Sequence, residues 1–285
     1  MIGRNLLPAL RANGHEVIRL LREKSPKAEP DAIWFDPADP ASLSGFEAVI
    51  HLAGENVAKR WTKKRKASIL ASRADFTRQL CTALAQTTRP PAHFLSASAI
   101  GYYGCNRTEV LTEDSPSGEG FLAEVCRQWE AATAPLAASR IVHMRLATVL
   151  SPQGGALAKL LPSFRLGMGA VIGSGRQMMS WISLPDVIAA IQHILATPAL
   201  TGPVNLAAPH PVSNREFAKT LGEVLYRPVL LKIPAMALKL AFGQMATETI
   251  LASQNVQPTR LEAAHFTFQH PTLHEALNAL LTTNH

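Results

Sequence analysis

The sequence predicts an α/β fold in which a doubly wound parallel sheet is accompanied by a small, mostly helical C-terminal region. Short apolar runs of strand length alternate with longer segments of helical spacing along most of the 285 residues. Several of these runs end in small or polar residues. Buried parallel strands have this pattern where they open at the C-terminal edge of a sheet.

The elements of the N-terminal half follow one another at short intervals. Apolar spacing predicts a helix over 2–10, with Leu6, Leu7 and Leu10 on one face, and Asn13-Gly14 ends it. Further along we predict strands over 17–21, 33–36 and 48–54, a helical turn within 37–45, a long amphipathic helix over 63–86, and a strand from 94.

The C-terminal half contains more helix. Strands are predicted over 141–146 and 204–207, and Ser213 is a plausible cap for one of the helices. The predicted helices cover 119–138, 157–165, 186–196, 214–225 and 273–281, with a short apolar-alternating piece at 264–268.

The composition is that of a folded chain. Hydrophobic residues make up 47% and charged residues 17%, so the chain can bury a sizeable core. The net charge is +7, and positive charge is concentrated in 59–66. This cluster either binds phosphate groups or is a solvated helix start. Because no zinc-finger, helix-turn-helix or RNA-binding signature accompanies it, we predict no nucleic-acid partner.

Cysteine usage and the first residues bear on location. Cys81, Cys105 and Cys126 are far apart and form no Cys-x-x-Cys pair, as expected of reduced thiols in the cytoplasm. The charged start does not have the pattern of a signal peptide, and the apolar runs are too short or interrupted to span a membrane. The histidines are scattered, and we predict no metal site. The oligomeric state is open.

The stretch Phe94–Gly104 is the strongest candidate for a site. Ser96 and Ser98 are two residues apart, so both hydroxyls point to the same side of a strand, and Tyr102 and Tyr103 add phenols nearby. The alternative is a loop that is rich in Ser and Tyr without a functional reason. Ligands of doubly wound sheets bind at the C-terminal strand ends. The predicted ends are Arg22, the turn Leu52-Ala53-Gly54-Glu55, Ser96–Tyr103 and Arg145–Val149.

With these pieces placed, the chain resembles the extended short-chain dehydrogenase/reductases. More closely, it resembles their atypical branch, the NAD-dependent epimerase/dehydratase-like proteins with a C-terminal domain of unknown function. The matching stretches run in order along nearly the whole chain: His51–Glu55, Arg60–Thr62, Ser72–Arg73, Ser96–Gly104, Phe121–Cys126, Gly154–Leu157, Gly173–Gln177, Ser180–Ile182 and Val204–Pro209.

The resemblance implies a division into domains. A Rossmann-like dinucleotide-binding domain is expected over 1–150, with elements around 185–210 returning to it. A substrate-side and C-terminal domain is expected over 151–184 and 211–285. On the substrate side we predict Gln177, Ser180 and Trp181, and a core aromatic at the interface with the C-terminal domain is the simplest interpretation of Trp181.

The N-terminus departs from the family pattern. Family members open with a strand and a Gly-x-x-Gly-x-x-Gly loop over the cofactor pyrophosphate, and here Gly3 matches the third glycine while the strand and first two glycines are absent. Because that strand is central, its loss is expected to open the core and remove most of the phosphate-binding amides. We therefore expect Met1 to be an internal residue of a longer natural product, and a chain that starts at Met1 to bind dinucleotide weakly or not at all.

The second departure is catalytic. Family members use a Tyr-x-x-x-Lys pair, whose lysine lowers the tyrosine pKa so that the phenol exchanges a proton with substrate near neutral pH. Ser98 matches the serine that accompanies the pair, but the helix over 119–130 contains neither Tyr nor Lys. Tyr102 or Tyr103 is a candidate for the missing phenol, and packed tyrosines are the alternative. Glu124 is an acid or base if buried, and otherwise an exposed helix carboxylate.

The cofactor prediction depends on Arg22. An acidic residue after the second family strand favours NAD, whereas an arginine suits the 2′-phosphate of NADP; a surface arginine is the alternative. We predict NADP, with a cofactor side that comprises Gly3, Arg22, His51, Leu52, Ala53, Gly54, Glu55, Ser96 and Arg145. Two hypotheses follow. One is an NADP-dependent oxidoreductase or nucleoside-diphosphate-sugar epimerase-like enzyme acting on a small polar substrate. The other is a non-catalytic NADP(H)-binding sensor or scaffold.

Overall fold

The computed structural model describes residues 1–22 and 31–282. The strands are β1 (Arg19–Leu21), β2 (Ala32–Trp34), β3 (Ala48–His51), β4 (His93–Ala99), β5 (Asn106–Leu111), β6 (Arg140–Leu146), β7 (Thr148–Ser151), β8 (Ala170–Ile172), β9 (Met178–Met179), β10 (Trp181–Ser183), β11 (Gly202–Leu206), β12 (Val212–Ser213), β13 (Leu231–Ile233) and β14 (Ser253–Val256).

The α-helices are α1 (Ile2–Ala12), α2 (Lys63–Leu70), α3 (Phe76–Ala85), α4 (Phe121–Ala131), α5 (Gly155–Arg165), α6 (Leu184–Ala196), α7 (Asn214–Val224), α8 (Ala235–Phe242), α9 (Thr259–Ala263) and α10 (Leu273–Thr282). None of the helices in the described parts of the chain has the length and apolarity needed to cross a membrane.

The main sheet is parallel, with strand order β11-β6-β4-β3, which confirms the predicted fold class. The register of its strands determines which polar residues lie side by side at the C-terminal edge. Ser98 on β4 lies beside Arg145 on β6, and Ser96 lies between His51 on β3 and His143 on β6. These rows of polar residues come at the C-terminal halves of otherwise apolar strands, where ligands of such sheets bind.

Strands β1 and β2 pair in parallel with each other and, among the described residues, with no strand of the main sheet. Leu20 and Ile33 nevertheless pack with Val49 and Phe94 of that sheet. The break in strand pairing lies between β1 and β3, where the family resemblance places the strand that the sequence does not contain.

Helices cover both faces of the sheet. Leu6 and Leu10 of α1 share a buried cluster with α6 and the apolar residues of β4, β6 and β11. On the opposite face, Leu80 and Leu84 of α3 pack against Phe94. This two-sided cover explains why the strands are rich in apolar residues at nearly every position.

The long helix predicted over 63–86 is continuous but not regular. A π-helical turn at Ala71–Asp75 separates α2 from α3. The extra residue of a π-turn changes which side chains face the sheet, and such turns are frequent at functional sites. Apolar spacing does not reveal it, because the flanking helices remain amphipathic.

The C-terminal part has a second core around Trp181, to which α5, α7 and α10 contribute. The sequence pattern does not predict eight of the short strands: β5, β7, β8, β9, β10, β12, β13 and β14. All of them pair with segments distant in sequence, β8 with β13 and β5 with β14 among them. The Ser213 cap is confirmed, since its hydroxyl accepts a hydrogen bond from the Glu216 amide at 3.1 Å. The piece at 264–268 is neither helix nor strand, and Phe266 and Phe268 pack on the main core.

Candidate functional site

The first wall of the site is the turn after β3. His51 ends this strand and is 5% exposed, with Nε2 2.9 Å from the Thr77 hydroxyl. Burial, and then the positive charge of Arg22, lower the pKa of His51 to about 4. It is therefore a neutral, packed histidine at pH 7 that faces α3 rather than a ligand.

The turn itself is tied to the π-turn. The Glu55 amide donates a hydrogen bond to the Ser72 hydroxyl at 3.0 Å, and the Glu55 carboxylate pairs with Arg65 at 2.9 Å. Gly54 is exposed, and a Cβ built on it would lie 3.1 Å from the guanidinium carbon of Arg73. A side chain at this position would displace the guanidinium by a few tenths of an ångström, so glycine favours the approach of this cation to the turn.

Arg22 stands at the end of β1 with its side chain exposed. Its guanidinium carbon lies 5.7 Å from the centre of the Phe76 ring. No carboxylate among the described residues pairs with it within 4 Å. The guanidinium is thus placed at a strand end where it can meet an anion.

The second wall is a buried polar network around Arg145. The guanidinium binds Glu130 of α4 through Nε and Nη2, both at 2.9 Å. Burial by itself would lower the pKa of Arg145, but the hydrogen bonds and charge of Glu130 raise it above its ordinary value. Ser98 donates its hydroxyl to the same carboxylate at 2.7 Å. Ser98 is 2% exposed, so in this arrangement its hydroxyl serves the network and not a ligand.

Tyr103 belongs to the same network. It is fully buried, accepts a hydrogen bond from Arg145 Nη1 at 3.0 Å, and donates one to Asn205 at 2.7 Å. Burial outweighs the Arg145 charge and raises the pKa of Tyr103. Both functions of its oxygen are used by protein groups. Tyr103 as a catalytic phenol and Arg145 as a cofactor contact stay predictions, and in this structure protein groups occupy the polar atoms of both side chains.

Glu113 continues this network to the C-terminal part. It is 3% exposed, and its carboxylate accepts the Asn205 amide at 3.0 Å and the Arg260 amide at 3.2 Å, and also the Thr259 hydroxyl. A buried carboxylate is stable when several donors surround it. The network is therefore a structural tie between the sheet and the segment around α9.

Tyr102 is the exception among the predicted hydroxyls. Its ring is half-buried and covers the Arg145 guanidinium, with the guanidinium carbon 3.5 Å from the ring centre. Its hydroxyl has no hydrogen-bond partner within the described ranges. Tyr102 thus combines a stacked cation with an uncommitted phenol at the end of β4.

Helix α4 occupies the place of the usual catalytic helix. Glu248 caps its N-terminus, accepting hydrogen bonds from the amides of Phe121 at 3.1 Å and Leu122 at 2.9 Å. Glu124 is 47% exposed and pairs with Arg127, so it is the exposed carboxylate of the two alternatives. The acidic residue that faces the sheet is Glu130.

The predicted substrate-side residues lie at the junction with the C-terminal part. Ser180 is buried, donates to the Gln254 carbonyl at 2.9 Å and accepts the Val256 amide at 2.9 Å. Trp181 is fully buried and donates to the His210 carbonyl at 3.1 Å. Ser180 and Trp181 thus bind protein groups here, and Trp181 is the core aromatic of its two interpretations. Gln177 is partly exposed and donates to the Ile172 carbonyl at 3.0 Å.

The remaining predicted residues differ in accessibility. Ser96 is 1% exposed, and its hydroxyl donates to the carbonyl of Ala97 at 3.1 Å, so it too faces protein. Gly3 lies in the first turn of α1, where a Cβ would have no atom of the described residues within 4 Å, and Leu52 and Ala53 are partly exposed. The basic cluster at 59–66 is a helix start, because the Thr62 hydroxyl caps α2 by accepting the Arg65 amide at 3.2 Å.

Comparisons with known proteins agree with this geometry. The NAD-dependent epimerase/dehydratase family matches residues 1–207. An epimerase family protein of Mycobacterium bovis is 42% identical over 288 residues, which cover 99% of this chain and 95% of the relative. The chain belongs to the NAD-dependent epimerase/dehydratase family. A domain of unknown function, DUF1731, matches residues 233–280, as in the atypical extended short-chain dehydrogenase/reductases.

Two solved structures support the family assignment. The human epimerase family protein SDR39U1 (isoform 2), solved with NADPH, has a TM-score of 0.91 at 33% identity, covering 99% of this chain and 96% of that one. A nucleoside-diphosphate sugar epimerase from Corynebacterium glutamicum has a TM-score of 0.78 at 34% identity, covering 98% of this chain and 56% of that one. The protein is therefore an epimerase family protein with a Rossmann-like fold.

The sequence lacks the first strand and first two glycines of the family pattern, and the remaining residues fit a dinucleotide. Arg22 offers a cation with no carboxylate partner in the described ranges, Gly54 is exposed in the turn after β3, and the start of α1 around Gly3 is uncrowded. A helix N-terminus and small-residue turns are the groups that accept phosphates and let a nucleotide approach the backbone. These three features lie at the ends of strands or the start of a helix, as the fold requires.

Proposed function

We propose that this protein is an NADP-dependent oxidoreductase or nucleoside-diphosphate-sugar epimerase-like enzyme that acts on a small polar substrate. The observation that carries the proposal is Tyr102. Its hydroxyl is uncommitted within the described chain, and its ring stacks on Arg145 at the C-terminal edge of the sheet. It supplies the phenol that the sequence of α4 lacks.

The chemistry follows from this placement. NADPH, when bound, supplies the hydride that a carbonyl carbon accepts. Tyr102 would donate its hydroxyl proton to the carbonyl oxygen, and the guanidinium beneath its ring would hold the phenol in place. Arg145 is held in place for this by Glu130, so it acts as a positioning residue.

The preference for NADP rests on Arg22. A guanidinium binds a phosphate ester in a planar, bidentate manner, whereas the bare ribose of NAD gives it no charged partner. The human relative, which was solved with NADPH, supports the same choice. The three cysteines are free thiols, which supports a reducing compartment such as the cytoplasm.

A second candidate is a non-catalytic NADP(H) sensor or scaffold. It is favoured by the absence of Tyr and Lys from α4 and by the commitment of Ser98 to Glu130. In this case the dinucleotide would bind at the same strand ends, and no proton donor would be needed.

Turnover of NADPH tests the two candidates against each other. NADPH consumption would be followed with a panel of carbonyl compounds and nucleoside-diphosphate sugars, and epimer formation by NMR. The chain contains three tyrosines, and Tyr226, which is 88% exposed, provides the matched control. We expect Tyr102→Phe to lower kcat/KM by about a hundredfold or more, the usual contribution of a proton donor, and Tyr226→Phe to leave it unchanged.

Either of two results would contradict the enzymatic proposal. If Tyr102→Phe turned over substrate as fast as the wild type, Tyr102 would not be the proton donor. NADPH binding by the wild type without turnover of any compound would favour the sensor.

A further inference from the structure

The guanidinium of Arg73 lacks a counter-ion in the part of the chain that the structure describes. No carboxylate there lies within 4 Å of it, and its two hydrogen bonds are long, 3.4 Å to the Ile69 carbonyl and 3.5 Å to the Ser72 hydroxyl. Glu55, the nearest acid along the turn, pairs with Arg65 instead. Most of the five donors of Arg73 are therefore unused.

The surroundings of this cation make the lack of a partner costly. Arg73 is half-buried, and burial lowers its pKa, with only partial compensation from Cys126 and Glu55. Arg145, which stands at the end of another strand of the same sheet, shows the opposite shift because Glu130 neutralises it. Proteins rarely leave a desolvated cation uncompensated unless a ligand supplies the charge.

The position of the guanidinium is fixed from three sides. Its carbon lies 5.1 Å from the centre of the Trp129 ring, and Gly54 lies against its edge. The π-turn that carries Arg73 is anchored to the Glu55 amide through Ser72. A cation held in this way is preorganised, so little entropy is lost when it binds.

A buried donor without an acceptor lies on the same contact. The indole N–H of Trp129, the ring on which Arg73 stacks, is buried and has no hydrogen-bond partner in the described structure. Trp129 is 5% exposed. Buried donors without acceptors are uncommon in native proteins and call for a specific reason. The unpaired indole N–H and the cation without a carboxylate partner, side by side, indicate that an acceptor is missing here.

We propose that Arg73 binds an oxyanion, a phosphate or carboxylate group of the ligand that occupies the C-terminal edge of β3. The π-turn and Gly54 hold the guanidinium against the turn after β3, where it would meet the anion. The inference deepens the proposed function, on which it rests for the identity of the ligand. The oxyanion comes either from the cofactor pyrophosphate or from an anionic substrate bound beside it.

The test compares Arg73→Gln and Arg73→Lys with wild type in the full chain. Arg78, an exposed arginine five residues further along the same helical segment, provides the matched control Arg78→Gln. Circular dichroism establishes folding. If Arg73→Gln is unfolded, Arg73→Lys carries the test, because it keeps the charge but loses the planar fork. The probes are inorganic pyrophosphate with the free protein, NADPH with the free protein, and inorganic phosphate with the NADPH-saturated protein, each by calorimetric titration.

The three titrations distinguish the two sources. Loss of about ten- to a hundredfold in affinity for NADPH and pyrophosphate on Arg73→Gln, and less on Arg73→Lys, assigns the site to the cofactor. An unchanged NADPH affinity, with the same loss for phosphate on the NADPH-saturated protein, assigns it to the substrate. Equal affinities of wild type, Arg73→Gln and Arg78→Gln for all three probes would overturn the inference.

The binding readout is independent of turnover. If no compound is turned over, the proposed reaction is refuted. The titrations still show whether Arg73 binds an anion. If turnover depends on Tyr102 but the Arg73 variants bind all three probes as tightly as the wild type, the proposed reaction is supported and the anion site is refuted.

Discussion

Replacement of Glu130 by glutamine should destabilise the protein severely, because the carboxylate neutralises a buried cation. The side chains of Arg145 and Glu130 are 4% and 12% exposed, and two hydrogen bonds of 2.9 Å join them. Glutamine keeps the shape but leaves Arg145 uncompensated, and breaking one partner of a buried ion pair costs about 3–5 kcal/mol. The buried hydroxyl of Ser98 also loses its charged acceptor.

The same helix supplies the control. Glu124 pairs with Arg127, but both side chains are more than a third exposed, so solvent screens the pair and Glu124→Gln should cost less than about 1 kcal/mol. Urea unfolding followed by circular dichroism measures both variants. We expect Glu130→Gln to lower the midpoint by about 1 M or more and Glu124→Gln to move it little.

Salt and a double-mutant cycle sharpen this test. The effect of Glu124→Gln should vanish in high salt, whereas that of Glu130→Gln should persist, since buried pairs are weakly screened. Arg145→Gln combined with Glu130→Gln should cost about 1–3 kcal/mol less than the sum of the single changes. If Glu130→Gln costs no more than Glu124→Gln, the network does not stabilise the sheet edge as described.

Two further predictions concern stability. The pKa of His51 in the folded state is about 4, below its ordinary value of 6.5, so the unfolded chain binds more protons between these two pH values. The His51 contribution to the free energy of unfolding should therefore be nearly constant above pH 7 and fall by roughly 2 kcal/mol between pH 7 and pH 5. Urea titrations at the two pH values should show a smaller loss for His51→Gln than for the wild type. Gly118→Ala should unfold or strongly destabilise the protein, because the new Cβ would lie 2.1 Å from the Tyr103 carbonyl oxygen. Gly3→Ala is the control, because its new Cβ would have no described neighbour within 4 Å. Equal melting temperatures of the two variants would contradict this expectation.

The sequence allowed the fold to be predicted where local pattern and tertiary structure agree. The helix at α1, the apolar run of β4 and the Ser213 cap of α7 depend on spacing and on single residues, which are visible in the chain. By contrast, β5 pairs with β14, which lies more than a hundred residues away, and its side chains are mostly exposed. Apolar and polar residues do not alternate in either strand, so local periodicity does not predict them.

The sequence predicts where the site lies, but not all of the residues that form it. The strand ends follow from the fold, and Tyr102 and Arg22 remain candidates there. Glu130 was missed because one acidic residue on an amphipathic helix normally faces solvent, and only the Ser98–Arg145 register shows that it turns inward. In the sequence, Arg73 is distinguished only as part of a stretch that resembles the family. Its position depends on a π-turn, for which the sequence contains no signal.

Parallel titrations of this protein with NADPH and NADH test the central claim most directly, namely that an NADP(H) site lies at these strand ends with Arg22 on the 2′-phosphate. We expect tighter binding of NADPH, a preference that Arg22→Glu removes, and no change with Arg78→Gln, an exposed arginine elsewhere on the surface. Equal or tighter binding of NADH by the wild type, or an NADPH preference that survives Arg22→Glu, would contradict it.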